Sequence, residues 1–234
     1  MFRGEPAFAL IVAAGQSTRM DRDKVFASLC GAPLLARTVE VFLYSPWVDE
    51  VVVVLRRERL RTGRRLAARR GWPRQVRFCP GGGRRQDSVR LGLEALSEAE
   101  GWVLIHDGAR PLVSWALVVR GLEAAAHTGA AVPGLPLADT VKLVSESGCV
   151  EQTLPRDRLR AVQTPQVFRL SLIRAAHRQL SQSDRTFTDD AALLEALGHP
   201  VAVFPGDAGN FKVTDPQDLQ RARRAWRAEE GHRG

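Results

Sequence analysis

The sequence predicts an α/β fold in which a mainly parallel sheet is packed between two layers of helices, with a β-hairpin arm projecting from it. Three observations predict this. Apolar, β-branched runs such as Ala9-Leu10-Ile11-Val12 and Val51-Val52-Val53-Val54-Leu55 alternate with stretches whose apolar residues recur at helical spacing. Those runs have no polar alternation, as strands covered on both faces require. Glycine-rich polar segments follow several of them, and residues 137–162 break the rhythm with weak strand-like alternation.

The elements follow in order. Residues 7–14 read as the first strand and 15–23 as a loop. Gly31-Ala32-Pro33 reads as a turn whose proline opens a helix, with Leu35, Val39, Phe42 and Leu43 on one face. Val51 to Leu55 form a buried strand, and an arginine-rich helix with Leu60 and Leu66 on its apolar side runs to about Arg70. Residues 76–79 form a short strand. A second glycine loop, Pro80-Gly81-Gly82-Gly83-Arg84-Arg85-Gln86-Asp87-Ser88, opens onto a helix marked by Val89, Gly92, Leu93 and Leu96. Trp102 to Ile105 form another strand, ending in His106-Asp107-Gly108-Ala109-Arg110-Pro111. Ser114 suits the cap of a helix with Val118, Gly121, Leu122 and Ala125 inside.

Residues 130–133 are expected as a strand, and 140–144 with 149–154 as a hairpin around a turn at 145–148. This hairpin has little of its own chain to bury against, so it reads as an arm for an oligomer contact. Gln163-Thr164-Pro165-Gln166 reads as a polar turn before a helix over 170–180, and Thr188-Asp189-Asp190 as the cap of a helix through Leu197. Strands are expected at 201–204 and 210–213. Thr214-Asp215-Pro216-Gln217 reads as a capping box opening the last helix, with a frayed tail from Glu229.

Composition narrows the function classes. The chain has 234 residues, 44% of them hydrophobic, which suits one α/β domain with a full core. No apolar run approaches about 18 residues, so no membrane-spanning helix is expected. The residues ahead of the first strand leave no room for a secretory apolar segment, and the three cysteines, Cys30, Cys79 and Cys149, form no Cys-x-x-Cys pair. A reduced cytoplasm is therefore expected, with neither a disulfide framework nor a zinc site. Net charge is +8. The excess is arginine dispersed over several segments without interleaved aromatics, which favours solvated helix faces over a nucleic-acid surface. Only three cations are lysine: Lys24, Lys142 and Lys212. In a chain that defaults to arginine, these are positions where a compact ammonium is wanted.

Ligands of open α/β sheets gather at the carboxyl ends of the strands. There the sequence places the loop from Gly15 to Lys24, the loop from Gly81 to Ser88, Asp107 with Arg110, and Lys212. Glycines admit a close ligand and cations neutralise phosphate. The first loop is neither a Walker A motif nor a strict dinucleotide fingerprint, since Ser17 stands at the second glycine position. Alone, it favours phosphate, with an ordinary strand–loop–helix corner and solvated cations as the alternative. His106 reads as a packed, hydrogen-bonded residue. No nucleophile–base pair is evident, so the set suits transfer at phosphorus, where positioning and charge stabilisation dominate.

The blocks Ala13-Ala14-Gly15…Arg19-Met20…Lys24, Gly81-Gly82…Arg85…Asp87-Ser88-Val89, His106-Asp107-Gly108-Ala109-Arg110-Pro111, Asp139-Thr140-Val141-Lys142, Gln163-Thr164-Pro165-Gln166-Val167-Phe168, Thr188-Asp189-Asp190-Ala191 and Asn210-Phe211-Lys212-Val213-Thr214 occur in this order. Together they resemble the 2-C-methyl-D-erythritol 4-phosphate cytidylyltransferases of the non-mevalonate isoprenoid pathway, over nearly the whole chain. The resemblance implies one Rossmann-like nucleotidyltransferase domain over residues 1–234, with a dimerisation arm at about 137–160. It implies Arg19 and Lys24 as the catalytic cations at the α-phosphate, and Ala13, Ala14 and Gly15 around the CTP triphosphate. Gly82, Gly83 and Ser88 would read the cytosine. Asp107, Gly108 and Arg110 would contact the nucleotide, with Asp107 also meeting a magnesium ion held mainly by the CTP phosphates. Thr164, Thr188 and Lys212 would hold methylerythritol phosphate, and Thr140 and Arg156 would complete the substrate site of a partner subunit. Lys142 receives no role.

The chain departs from the family pattern at Ser17, often glycine; at Asp23-Lys24-Val25, commonly Pro-Lys-Gln or Asn-Lys; and at Gly83, often acidic. The last shifts base reading onto backbone groups. Ribitol-5-phosphate cytidylyltransferase is the nearest alternative activity. Molybdopterin-type cytidylyltransferases resemble the first block only, and the length of the chain argues against a fused second enzyme of the pathway. From another class, a basic nucleic-acid-binding module would bind with strong salt dependence and release no pyrophosphate.

Overall fold

A computed structural model describes residues 1–15, 23–181 and 183–231. In chain order the elements are β1 (Ala7–Ala13), β2 (Ser28–Leu29), β3 (Ala32–Pro33), α1 (Leu34–Leu43), β4 (Glu50–Leu55), α2 (Leu60–Arg70), β5 (Val76–Pro80), α3 (Arg85–Glu94), β6 (Trp102–Asp107) and α4 (Trp115–Thr128). They continue with β7 (Ala130–Pro136), β8 (Val141–Val144), β9 (Val150–Leu154), β10 (Arg160–Val162), β11 (Gln166–Arg169), α5 (Leu170–Gln179), α6 (Ala191–Ala196), β12 (Ala202–Pro205) and α7 (Pro216–Gly231).

The central sheet has the order β10-β7-β11-β6-β1-β4-β5, with β12 also paired to β7. β5, β4, β1 and β6 are mutually parallel, as are β7 and β12, while β11 and β10 run antiparallel to their neighbours. Successive side chains of a strand point to opposite faces, so every strand feeds two cores. Ala7, Ala9, Ile11 and Ala13 of β1 meet Leu35, Val39 and Phe42 of α1, Leu66 of α2 and Val118 and Leu122 of α4 on one face. Phe8 and Leu10 meet Val89 and Leu93 of α3, Ile173 of α5 and Leu194 of α6 on the other. This is the expected three-layer α/β architecture. A third cluster seats α7 through Leu219 and Ala222 on Leu29, Ala109, Leu112 and Val213.

Several elements differ from expectation. Residues 163–166 are more than a turn. Gln166–Arg169 forms β11, wedged antiparallel between β6 and β7. Its two apolar residues, Val167 and Phe168, are too few to show a strand period. β10 and β11 pair with β7 in one continuing sense, Val162 opposite Gly134 and Val167 opposite Ala131. Residues 163–166 thus stand opposite only 132 and 133, and the surplus bulges toward the end of β6, where the Thr164–Pro165 peptide is cis.

Residues 210–213 are not a strand. They form a strap held by single contacts, Val213 N donating to Ala109 O at 2.8 Å and Asn210 Nδ2 to Thr164 O at 2.7 Å. The turn expected at Gly31 to Pro33 is centred one residue earlier. Cys30 and Gly31, both at positive φ, turn the small β2–β3 hairpin, and Pro33 ends it before α1 begins. The capping of the last helix falls to acids instead of Thr214 and Gln217. Asp215 Oδ1 accepts from Asp218 N, and Asp218 Oδ2 accepts from Thr214 N, each at 2.8 Å. That helix runs on to Gly231, past the expected fraying point. At α6, Asp189 Oδ1 and Gln166 Oε1 take the terminal N–H groups of Ala192, Asp190 and Ala191.

The arm is present as β8 and β9, joined through a Ser145–Gly148 hydrogen bond. Lys142 Nζ donates to Thr153 Oγ1 at 2.7 Å across the hairpin, so this lysine serves the arm. Among the described residues no helix is long and apolar enough to cross a membrane.

Candidate active site

The carboxyl ends of β1, β4, β5 and β6 bring the predicted segments to one edge of the sheet. Contacts among glycines and alanines draw the loops together. A Cβ on Gly81 would stand 2.4 Å from Ala14 Cβ, and one on Gly108 would stand 2.9 Å from Ala13 Cβ. Only glycine permits those approaches, because real Cβ atoms do not come so close. Gly15 and Gly83 have nothing within 4 Å of that position and face open space.

The glycine loop before α3 is internally braced. Ser88 Oγ accepts from Gly82 N at 3.1 Å and donates to Arg84 O at 3.2 Å. Asp87 binds back to Arg84 N and its guanidinium, closing the start of the helix. The hydroxyl proton of Ser88 and the N–H of Gly82 are thus spent on the loop itself, as Gly108 N is on Val12 O. Of the predicted cytosine-reading set, Gly83 is left facing open space.

Asp107, at the tip of β6, is the centre of charge. Lys212 Nζ lies 2.9 Å and Arg110 Nε 3.6 Å from its Oδ2, and Arg85 NH2 lies 4.0 Å from its Oδ1. Burial alone would raise the carboxyl's pKa, but Lys212, Arg85 and Arg110 overcome it and hold the group well below the usual carboxylate range. Each cation arrives on a different element: Arg85 at the start of α3, Arg110 on the loop after β6, Lys212 on the strap. Arg110 also donates to Asn210 O at 2.8 Å, tying that loop to the strap. Arg221 of α7 lies 4.0 Å from the Phe211 ring centroid and supports the strap beside Lys212.

Arg85 and Asp190 both occur in the motifs above, Asp190 as a helix-capping residue, but the sequence points neither to the site. In the structure Arg85 NH1 meets Asp190 at 2.8 Å, and Asp190 is fully buried. Burial opposes the Arg85 charge, but Asp190 and Asp107 outweigh it and hold the guanidinium above its ordinary range. The other side of Asp190 faces His177 Nε2 at 3.8 Å. A buried acid anchoring an arginine beside the catalytic edge has no sequence signal, since Asp190 reads as one more helix-capping residue.

Thr164 is buried beneath Asp107. Its Oγ1 accepts from Asp107 N at 3.0 Å and stands 3.0 Å from His106 Nδ1. His106 Nε2 faces the Arg110 carbonyl at 3.1 Å, which can only accept. The ring proton therefore sits on Nε2, and Nδ1 accepts the Thr164 hydroxyl proton. This hydroxyl, proposed from resemblance as a substrate contact, spends its one proton on holding His106 and its oxygen on holding Asp107. Burial pushes the pKa of His106 down to about 4.

The remaining predicted residues are spread out. Lys24 opens a short 3-10 turn, Lys24–Phe26, whose Val25 is buried. Arg19 lies outside the described residues. Thr188 is exposed next to the buried Phe187 and two residues before Asp190. Thr140 and Arg156 sit at the root of the arm, where Arg156 donates to Ala138 O. That contact of Arg156 stays within the root of the arm. Burial raises the Cys79 thiol to about 11, so it offers no thiolate nucleophile at neutral pH.

A neutral buried His106 has a consequence for stability. Its folded pKa lies below the unfolded value of about 6.5, so the unfolded chain binds the extra proton as pH falls. The stability present above that value is lost progressively between about pH 6.5 and 4, by roughly 2 kcal/mol at pH 5. Urea unfolding of the metal-free protein at pH 7 and pH 5 checks this. The midpoint is expected to fall, with much of the fall absent from His106→Gln; a flat profile in wild type would contradict the assignment.

Known proteins resemble this chain along most of its length. A family model described as IspD, 2-C-methyl-D-erythritol 4-phosphate cytidylyltransferase, matches residues 7–227. A curated protein of that name from Dehalococcoides mccartyi is 48% identical over 95% of this chain and 96% of its own length. One from Halalkalibacterium halodurans is 45% identical over 90% of this chain and 92% of its own. Among solved structures, the 2-C-methyl-D-erythritol 4-phosphate cytidylyltransferase of Thermus thermophilus superposes with a TM-score of 0.75 at 38% identity, covering 93% of this chain and 98% of that one. The 4-diphosphocytidyl-2C-methyl-D-erythritol synthase of Anaerococcus prevotii gives 0.86 at 27% identity, covering 96% and 99%. On the extent of these matches, this chain belongs to the 2-C-methyl-D-erythritol 4-phosphate cytidylyltransferase family.

Proposed function

We propose that this chain transfers CMP from CTP to 2-C-methyl-D-erythritol 4-phosphate, releasing pyrophosphate and 4-diphosphocytidyl-2-C-methylerythritol. The observation that carries the reading is the convergence of Asp107, Lys212, Arg110 and Arg85 with two glycine loops at the carboxyl edge of the sheet, in a chain of this family. A phosphate oxygen of the acceptor attacks the α-phosphorus of CTP in line. The α-phosphorus–oxygen bond to the β-phosphate breaks, and its electron pair leaves with pyrophosphate. A phosphomonoester with a second pKa of about 6 is already mainly dianionic at neutral pH, so no general base is required.

The chain's own residues position and neutralise. Ala13, Ala14 and Gly15 offer a close backbone surface to the triphosphate. Arg19 and Lys24 meet the charge developing on the α-phosphate, where preorganised donors count most. Gly83 is open to the base, while Ser88 and Gly82 shape its loop. Lys212, with its side chain 41% exposed, is anchored on Asp107 yet reaches solvent, and with the exposed Thr188 suits the acceptor phosphate.

The donor set fits a nucleotide-borne magnesium ion. Magnesium binds through one or two carboxylates plus substrate phosphates, and among the described residues no group of three or more acidic, histidine or cysteine side chains is placed to hold a metal ion without them. Asp107 would hold it, and the ion would neutralise charge on the CTP phosphates.

Pyrophosphate release by purified protein with CTP, magnesium and methylerythritol phosphate, against ribitol phosphate as acceptor, tests the activity. Turnover with the first acceptor is expected; turnover only with the second would reassign the substrate. Lys24→Ala is expected to lower kcat by roughly 10²–10³, and a near-wild-type kcat would remove Lys24 from the mechanism.

We propose further that the arm serves a homodimer, in the cytoplasm. Leu143, Val144 and Val150 are 46%, 54% and 60% exposed in the isolated chain, an apolar surface that the arm cannot cover itself. In a dimer this surface would be buried, and Thr140 and Arg156 would reach the partner's site. Deleting residues 137–158 and measuring solution mass checks this. A monomer with an intact core is expected, and a truncated chain that stayed a tight dimer would refute it.

A further inference from the structure

Asp23 lies immediately before Lys24, and its side chain is nearly buried. Its Oδ2 meets Arg56 NH2 at 2.7 Å and Arg59 Nε at 2.8 Å. Arg56 directly follows β4, and Arg59 closes the short turn leading to α2. The loop after β1 is thereby tied to the loop after its parallel neighbour. The tie is placed next to the backbone of the lysine. Phe26 N donates to Asp23 O at 3.0 Å and Ala27 N to Lys24 O at 3.1 Å, and Val25 is buried. The backbone of Lys24 is thus fixed on one side by an ionic tie and on the other by a core residue.

The energetics say what such a tie is for. The two arginine side chains are 30% and 42% exposed, against 9% for Asp23. Pairs with arginines this open to water commonly contribute little to folding. Geometry is more sensitive: a misplacement of about 1 Å at a reacting centre can cost roughly 10²-fold in rate. Asp23 also begins its turn at φ −63° and ψ 97°, an ordinary conformation, so the acid is not needed to satisfy the backbone.

We infer that Asp23 is a positioning residue: clamped by Arg56 and Arg59, it fixes the backbone of Lys24 at the carboxyl end of the sheet so that the ammonium meets the triphosphate. This rests on the reading of Lys24 as a catalytic cation. The clamp replaces backbone rigidity with charge, which accounts for an acid directly before a cation that must face phosphate.

The test is a set of variants assayed for kcat, for KM with CTP, and for thermal midpoint: Asp23→Asn, the double change Arg56→Gln with Arg59→Gln, Lys24→Ala, and their combinations. Asp23→Asn is expected to lower kcat about 10-fold with KM changed less than about twofold and little change in the midpoint. The arginine pair should reproduce that loss, and adding Asp23→Asn to it should lose nothing more. In the Lys24→Ala background Asp23→Asn should be silent, and Asp23→Glu should recover part of the wild-type rate. A wild-type kcat in Asp23→Asn, a loss confined to KM, or a full further loss on top of Lys24→Ala would overturn the inference. Should Asp23→Asn fail to fold, the arginine pair carries the same comparison. A Lys24→Ala variant at wild-type kcat would defeat the catalytic reading itself, separately from the clamp.

Discussion

The site depends on one buried carboxylate surrounded by cations from three separate segments. Asp107 ends β6, the strand beside β1, and its side chain is too buried to be charged at low cost. Lys212, Arg110 and Arg85 make the charge favourable, and the acid in turn keeps three like charges close together. A cluster of cations without that acid would repel itself; with it, the three are held in place before any ligand arrives, and Lys212 still reaches solvent. Preorganisation of this kind stabilises charge without reorganisation during reaction.

The surrounding structure keeps that group in register. The bulge between β10 and β11 delivers Thr164 under Asp107, and Asn210 bonds the carbonyl of Thr164 while its own carbonyl accepts from Arg110. His106 closes the circuit between Thr164 and the Arg110 carbonyl. On the far side, Asp190 holds Arg85, and Gln166 of β11 caps the helix that begins after Asp190. The strap, the bulge and the α3 loop are thus parts of one polar network. Its positions are set by core packing below, where helices cover both faces of the sheet.

Most of the parallel half was legible because its strands are continuous apolar runs and its helices carry clear apolar faces, as in Val51 to Leu55 and in Val118, Gly121, Leu122 and Ala125. Ser114 was readable as a cap, and its Oγ accepts from Leu117 N at 3.2 Å. What escaped was set by tertiary contact. β11 carries two apolar residues between polar ends and is a strand because neighbours on both sides supply its hydrogen bonds. The 210–213 segment has strand-like residues but no neighbour along its length, so it becomes a strap. In the site, residue types at strand ends pointed to Asp107, Arg110 and Lys212. Asp190 and Asp23 were not legible as functional, because an acid's role depends on which arginine the fold brings to it. Of the three lysines, Lys212 has its ammonium against Asp107 and Lys142 makes a cross-strand contact of the arm.

The most direct test is turnover of Asp107→Asn, an isosteric change that removes the charge and leaves the packing. If one carboxylate holds the three cations as a unit, the variant folds, with wild-type circular dichroism, and its kcat falls by about 10²-fold or more. A folded Asp107→Asn that turns over CTP and methylerythritol phosphate at the wild-type rate would contradict the account at its centre.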